Sequence, residues 1–286
     1  MFDRIRTDLA LELKDKHIDK NKCDGIVVKE CIVEGNIKET TINILDDETS
    51  KIIGKPIGKY ITLENKSLSK DDISINENFV HGLWRNLKEL VGNANNILVV
   101  GLGNRNVTPD SLGPLVIDNL YVTRHIHDDI CKTKAISAIA PGILEQTGIE
   151  SQSYIKAICD EINPNLVIVI DALAAMEPGR INTTIQISDT GICPGSGVGN
   201  NRVRIDENTI GVKVIAIGVP TVISEISIIG RYIDLFIDKN KLDDNGLYFD
   251  FDDLDNLCKV FVTPQNIDLA IKRISYTISE AINKLL

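Results

Sequence analysis

Ile97 to Pro114, ILVVGLGNRNVTPDSLGP, decides how this chain is read: an apolar run ends in glycines and asparagines and then delivers one carboxylate, Asp110. Leu166 to Ile170, LVIVI, is a second run of the same kind. It meets Asp171 directly, ahead of the segment Ala172, Leu173, Ala174, Ala175. Unbroken β-branched runs of this length mark strands buried on both faces, as in a parallel sheet. The carboxyl ends of parallel strands form one rim, so aspartates that end two such strands face each other across a single crevice.

Working outward, strand, loop and helix alternate: ILVVGLG, then SLGPLVIDNLYVTRH as a helix closed by His125 and His127, then KAISAIAPG, the helix SQSYIKAICDEI, and LVIVIDAL. This alternation predicts an α/β fold with a mainly parallel sheet flanked by helices. Further strands are expected at Ile181–Ser188 and Val212–Val219. On the amino-terminal side the texture differs. Between Gly25 and about residue 66, GIVVKECIVEG, IKETTINILD and GKYITLE read as antiparallel hairpins, a β-rich extension of the sheet. The polar stretch Ser67–Glu77 is a boundary, followed by a helix over Asn78–Val91. At the other end, Thr263 as N-cap and Pro264 at the first helical position open a final helix with Ile267, Ile271, Ile274, Ile278 and Ile282 on one face.

The 286 residues carry a net charge of -10 and 43% hydrophobic residues, enough for a sizeable core. An acidic chain argues against the nucleic-acid backbone as a partner, because that affinity comes from clustered Lys and Arg. No window approaches the roughly 20 apolar residues of a membrane span, and the charged start MFDRIRTDLALELKDK lacks the apolar core of a signal peptide. The expected location is therefore cytoplasmic. Cys23, Cys31, Cys131, Cys159, Cys193 and Cys258 form no CxxC pair and have no histidine at zinc-ligand spacing, so no metal and no cofactor are expected.

GLGNRNVTPDSLG imitates a dinucleotide fingerprint, but Asn106 stands where the third glycine is needed. The loop ISDTGICPGSGVGNNR, with Gly195, Ser196, Gly197, Gly199 and Asn200, lacks the Gly-Lys-Ser/Thr ending of a phosphate loop. It reads either as a glycine-rich turn or as a crevice border offering backbone donors to a substrate. The acidic run Lys241–Asp255 invites a calcium reading, but its spacing fails the EF-hand loop. Asp110 reads either as a helix cap or, with Asp171, as half of an acid/base pair; two carboxylates in one site split their proton affinities, leaving one ionised and one protonated.

GLGNRNVTPDSLGPLVIDNLYVTRH, SAIAPGILEQTGIE, VIDALAA, INTTIQISDTGI, PGSGVGN and VIAIGVPTV resemble, in order and spacing, the germination proteases of spore-forming bacteria, from Arg6 to the final helix. The resemblance implies a fold similar to hydrogenase maturation proteases. It also implies an atypical aspartic endopeptidase that begins the degradation of small acid-soluble spore proteins during germination, working in the spore core as a homotetramer. The catalytic pair it implies falls on Asp110 and Asp171. It further implies a zymogen that clips itself after an acidic residue and before a hydrophobic residue and alanine. RTDLALE supplies that order, so cleavage is expected between Asp8 and Leu9, with residues 1–8 as propeptide and 9–286 as a single catalytic domain. Alternatives are metal-assisted cleavage in the same crevice and a latent homologue that binds spore proteins without cutting them. Three departures stand out: Cys193 where the family is expected to carry histidine, Met176 with Pro178 and Gly179 where it carries a basic residue, and a shortened stretch after Val222.

Overall fold

The computed structural model describes residues 7–17, 25–69, 75–126, 133–199, 202–240 and 260–286. The alternating amino-terminal bursts form an antiparallel meander, β1 (Ile26–Val33), β2 (Ile37–Ile44) and β3 (Gly58–Glu64). The continuous β-branched runs form β4 (Asn96–Gly101), β5 (Ala135–Ile139), β6 (Leu166–Ala175) and β8 (Val214–Ser224), paired in parallel. The two regions are joined by β7 (Thr184–Ser188), antiparallel to both β3 and β8, so one mixed sheet runs in the order β1-β2-β3-β7-β8-β6-β4-β5. A short β9 (Phe261–Val262) adds to the far end of β8.

Side chains alternate across a strand, and each face of the sheet is covered by different helices. The helices are α1 (Ala10–His17), α2 (Asp47–Ile53), α3 (Glu77–Val91), α4 (Leu112–Asp118), α5 (Leu144–Thr147), α6 (Ser151–Ile162), α7 (Glu207–Ile210), α8 (Glu225–Asn240) and α9 (Ile267–Asn283). On one face Leu83 and Leu87 of α3, Leu112 and Val116 of α4 and Ile271, Ile274 and Ile278 of α9 meet Ile97, Ile168, Ile170 and Ile217 in a single core. Each fully buried Ile or Leu there contributes about 1.5–3 kcal/mol of transfer free energy. Smaller clusters cover the other face. Ile155 and Cys159 of α6 and Ile210 of α7 cover Val100, Val167 and Val169. Ala10 and Leu11 of α1 and Ile53 of α2 cover Ile42, Ile44 and Tyr60. Asp171 follows Val169 by two residues and therefore projects from this second face.

Several boundaries differ from the sequence reading. The helix expected through His125 stops at Asp118, where Asn119 donates its side-chain amide back to Leu115 O; Arg124–Ile126 is a single 3-10 turn, and His127 lies outside the described residues. The last helix starts at Ile267, because the Thr263 hydroxyl donates to Thr221 O across to β8 instead of capping the helix. The acidic run Lys241–Asp255 lies outside the described residues, as do Cys23, Cys131 and Cys258. Among the described residues, no helix is long and apolar enough to cross a membrane.

Candidate active site

Asp171 does not end its strand. β6 continues four residues further, paired with β8 as far as Ala175 opposite Ile223, with a register shift between Leu173 and Ala174. Register places Asp171 opposite Gly218 of β8, and Gly218 opposite Gln186 of β7, so Asp171 and Gln186 share one row and one face. Asp110 sits nine residues beyond β4, in the 3-10 turn Thr108–Asp110. Its Oδ2 accepts the Asn104 N–H at 2.6 Å. That turn folds back onto Gly103, whose φ of +113° suits glycine and where a Cβ would lie 2.0 Å from the Asp110 carbonyl oxygen. The N-cap position of α4 is Ser111, so the Asp110 carboxylate is not a helix cap.

Burial pushes Asp110 up to about 6, helped by the negative charge of Glu145 and opposed by the Asn104 N–H. Asp171 is almost completely buried, and burial drives it well above the usual carboxylate range; Asp110 and then Asp8 push it further, against one hydrogen bond from Ala172 N at 3.0 Å. Within this pair Asp171 therefore keeps its proton while Asp110 ionises first.

The overhang of β6 holds the chain's own amino-terminal segment. Asp8 N–H donates to Ala174 O at 3.1 Å, and Ala174 N–H donates to Asp8 Oδ2 at 3.0 Å. The Ser196 hydroxyl donates to Asp8 Oδ1 at 2.5 Å. Leu9 is fully buried among Leu173, Ala175, Ile181 and Ile223. Gln186 brackets Leu9: its Nε2 donates to Asp8 O, the carbonyl of the Asp8–Leu9 peptide, at 3.4 Å, and its Oε1 accepts from Ala10 N, in the following peptide, at 2.8 Å. Downstream, the fully buried Glu12 accepts from Met176 N at 2.7 Å, from Glu177 N at 2.9 Å and from the Thr7 hydroxyl. Its ion-pair partner is Arg180, at 3.3 Å, which also reaches Glu64 at 3.0 Å.

Asp8, Asp110, Asp171 and Gly195 line one crevice of about 640 Å³, together with Leu144 and Arg202. The glycine loop uses its backbone donors internally: Ser196 N bonds Cys193 O, Val198 N bonds Gly195 O and Gly199 N bonds Ser196 O. What it presents to Asp8 is the Ser196 side chain and the bare Cα of Gly197. Asn200 lies outside the described residues. Cys193 donates to Arg202 O at 3.4 Å. Among the described residues no three His, Cys, Asp or Glu side chains converge as a metal-ligand set. Sequence reading missed Gln186, Glu12 and Arg180. The signal for Gln186 was a long amide between Ile185 and Ile187 of INTTIQIS; the others depend on contacts between residues far apart in sequence.

The chain matches the family model described as germination protease over residues 6–242. It is 40% identical over 309 residues to a germination protease of Clostridium perfringens, covering 98% of this chain and 94% of that one. With a germination protease of Bacillus cereus it shares 42% identity over 247 residues, covering 82% and 67%. Among solved structures, the NiFe hydrogenase maturation protease HycI from Thermococcus kodakarensis aligns with 69% of this chain and 98% of its own, with a TM-score of 0.35 and 16% identity.

Proposed function

Because the chain belongs to the germination protease family of endopeptidases, we propose that Asp110 and Asp171 are its acid/base pair and that Asp8–Leu9 is the bond it cuts in itself. Asp110, ionised first, takes a proton from water. The water oxygen bonds to the Asp8 carbonyl carbon, and the Gln186 amide donates to the carbonyl oxygen as it gains charge. Asp171 gives its proton to the Leu9 nitrogen as the C–N bond breaks, leaving a carboxyl terminus at Asp8 and an amino terminus at Leu9. Positioned proton transfer of this kind contributes on the order of 10²–10⁴-fold each way.

The observation that carries this reading is that Asp8, Asp110 and Asp171 line one crevice while the Gln186 amide donates to the Asp8 carbonyl oxygen and accepts from Ala10 N on the other side of Leu9. Residues 1–8 are then a propeptide and 9–286 the catalytic domain. The substrates are small acid-soluble spore proteins, cut after an acidic residue that precedes a hydrophobic residue and alanine, the order of Asp8, Leu9 and Ala10. Mass analysis of the purified full chain tests it. The expected product starts at Leu9 and is absent from Asp110→Asn and Asp171→Asn. Unchanged processing in both variants would sink the pair, and a different new amino terminus would sink the cleavage site.

A further inference from the structure

The Asp8 carboxylate is met at both oxygens by donors from two different elements: Ser196 Oγ on Oδ1 at 2.5 Å and Ala174 N–H on Oδ2 at 3.0 Å. Gly197 is the wall behind it, where a Cβ would lie 2.2 Å from Asp8 Oδ2. The Asp8 side chain is buried, so these groups take the place of solvent. We infer that Ser196, Gly197 and the Ala174 N–H form the subsite that selects an acidic residue on the amino side of the cleaved bond, in the chain itself and in its substrates. This rests on Asp8–Leu9 being the bond cut.

The selection follows from donor and acceptor counting. A carboxylate offers a charged acceptor to each of two donors; an amide offers one neutral acceptor and an N–H₂ group that the Ser196 hydroxyl can meet only by giving up its own donation, and alanine offers nothing. A buried donor left unpaired carries its desolvation cost, enough to lower cleavage about ten- to a hundredfold. The absence of a side chain at residue 197 keeps the carboxylate within reach of both donors. These are specificity-determining residues and take no part in moving protons.

A double-mutant cycle on the full-length chain tests the subsite, with the rate of appearance of the Leu9 terminus as readout. Asp8→Asn and Asp8→Ala are each made alone and together with Ser196→Ala; Ser196→Thr, which keeps the hydroxyl, guards against a folding defect. Expected are a loss of at least tenfold for Asp8→Asn and more for Asp8→Ala. In the Ser196→Ala background both losses shrink, and Ser196→Thr retains the preference for Asp8. Losses that multiply independently, or equal rates for the wild type, Asp8→Asn and Asp8→Ala with cleavage still at that bond, overturn the subsite alone. A wild-type chain that cuts elsewhere, or not at all, removes the cleavage-site reading and the subsite with it.

Discussion

Glu12 and Arg180 form an ion pair at 3.3 Å whose acidic half has no exposure to solvent at all. Two backbone donors, Met176 N and Glu177 N, also meet the Glu12 side chain, so α1 is pinned to the end of β6 through one buried carboxyl group, which burial holds above the usual carboxylate range against Arg180 and these donors. Removing one partner of such a pair costs about 3–5 kcal/mol. Arg180→Met is expected to release the segment, seen as at least a hundredfold loss of amide-exchange protection from Leu9 to Leu13 and slower self-cleavage. Glu12→Gln keeps an acceptor for Met176 N and is expected to have the milder effect. Unaltered protection in Arg180→Met would count against the pinning.

Self-cleavage is expected to depend on pH as a bell. Asp110 must be ionised, so the rate rises through about 6. Asp171, held higher by burial and by Asp110, loses its proton above that, and the rate falls again. The two limbs report apparent values of the pair. A rate that climbs steadily with pH and never falls contradicts Asp171 as the proton donor.

The same shifts act on stability. Both carboxyls bind protons more tightly in the folded chain than unfolded, so their stabilising contribution is complete below about 4 and is lost as pH rises through the folded values. Asp171→Asn removes a buried carboxyl that has become costly to ionise. Its Tm is expected to exceed that of the wild type by a few degrees at pH 7.5, with the difference vanishing near pH 4. Thermal unfolding at the two pH values decides this.

Gln186→Leu preserves volume in a buried row but strips the donor from the Asp8 carbonyl oxygen and the acceptor from Ala10 N. Loss of a donor at a carbonyl that gains charge is worth roughly 10²–10³-fold where it has been removed in other enzymes. A fall in self-cleavage of tenfold or more is expected, with α1 still protected from exchange. Equal rates would reduce Gln186 to a packing residue.

Gly103→Ala puts a methyl where the Asp110 carbonyl oxygen stands and forces a side chain to φ +113°. The Thr108–Asp110 turn is expected to shift, lowering cleavage by more than the accompanying loss of stability accounts for. Comparing residual activity with Tm at a temperature well below unfolding checks it.

The parallel strands were legible because LVIVI and ILVV admit little else, and the amino-terminal meander because its alternation and turns are local. The continuation of β6 was not. Ala172 to Ala175 lack the β-branched signature, and their extended form is stabilised by β8 on one edge and by Asp8 on the other. Asp171 could be read as a strand-end aspartate because the apolar run stops there, although the strand does not. Asp110 reads as a helix cap as well as a site residue; the structure removes the cap, because Ser111 takes that position and the Asp110 Oδ2 accepts the Asn104 N–H. RTDLALE carries its order of residues openly, but its position in the crevice depends on partners more than 160 positions away, Ala174, Gln186 and Ser196.

A segment built into the chain competes differently from one that diffuses. Residues 7–12 are tethered to the surface they occupy, so any outside polypeptide meets a rival whose effective concentration does not fall on dilution. Cutting Asp8–Leu9 would not dilute that rival, because Leu9, Ala10 and Glu12 remain covalently attached on the far side of the cut. The severed amino-terminal piece can diffuse away, whereas the primed side of the crevice becomes vacant only in proportion to how often α1 lifts. Foreign chains would then be processed at a rate gated by that lifting equilibrium, and the threshold concentration of substrate would be written into the grip of Arg180.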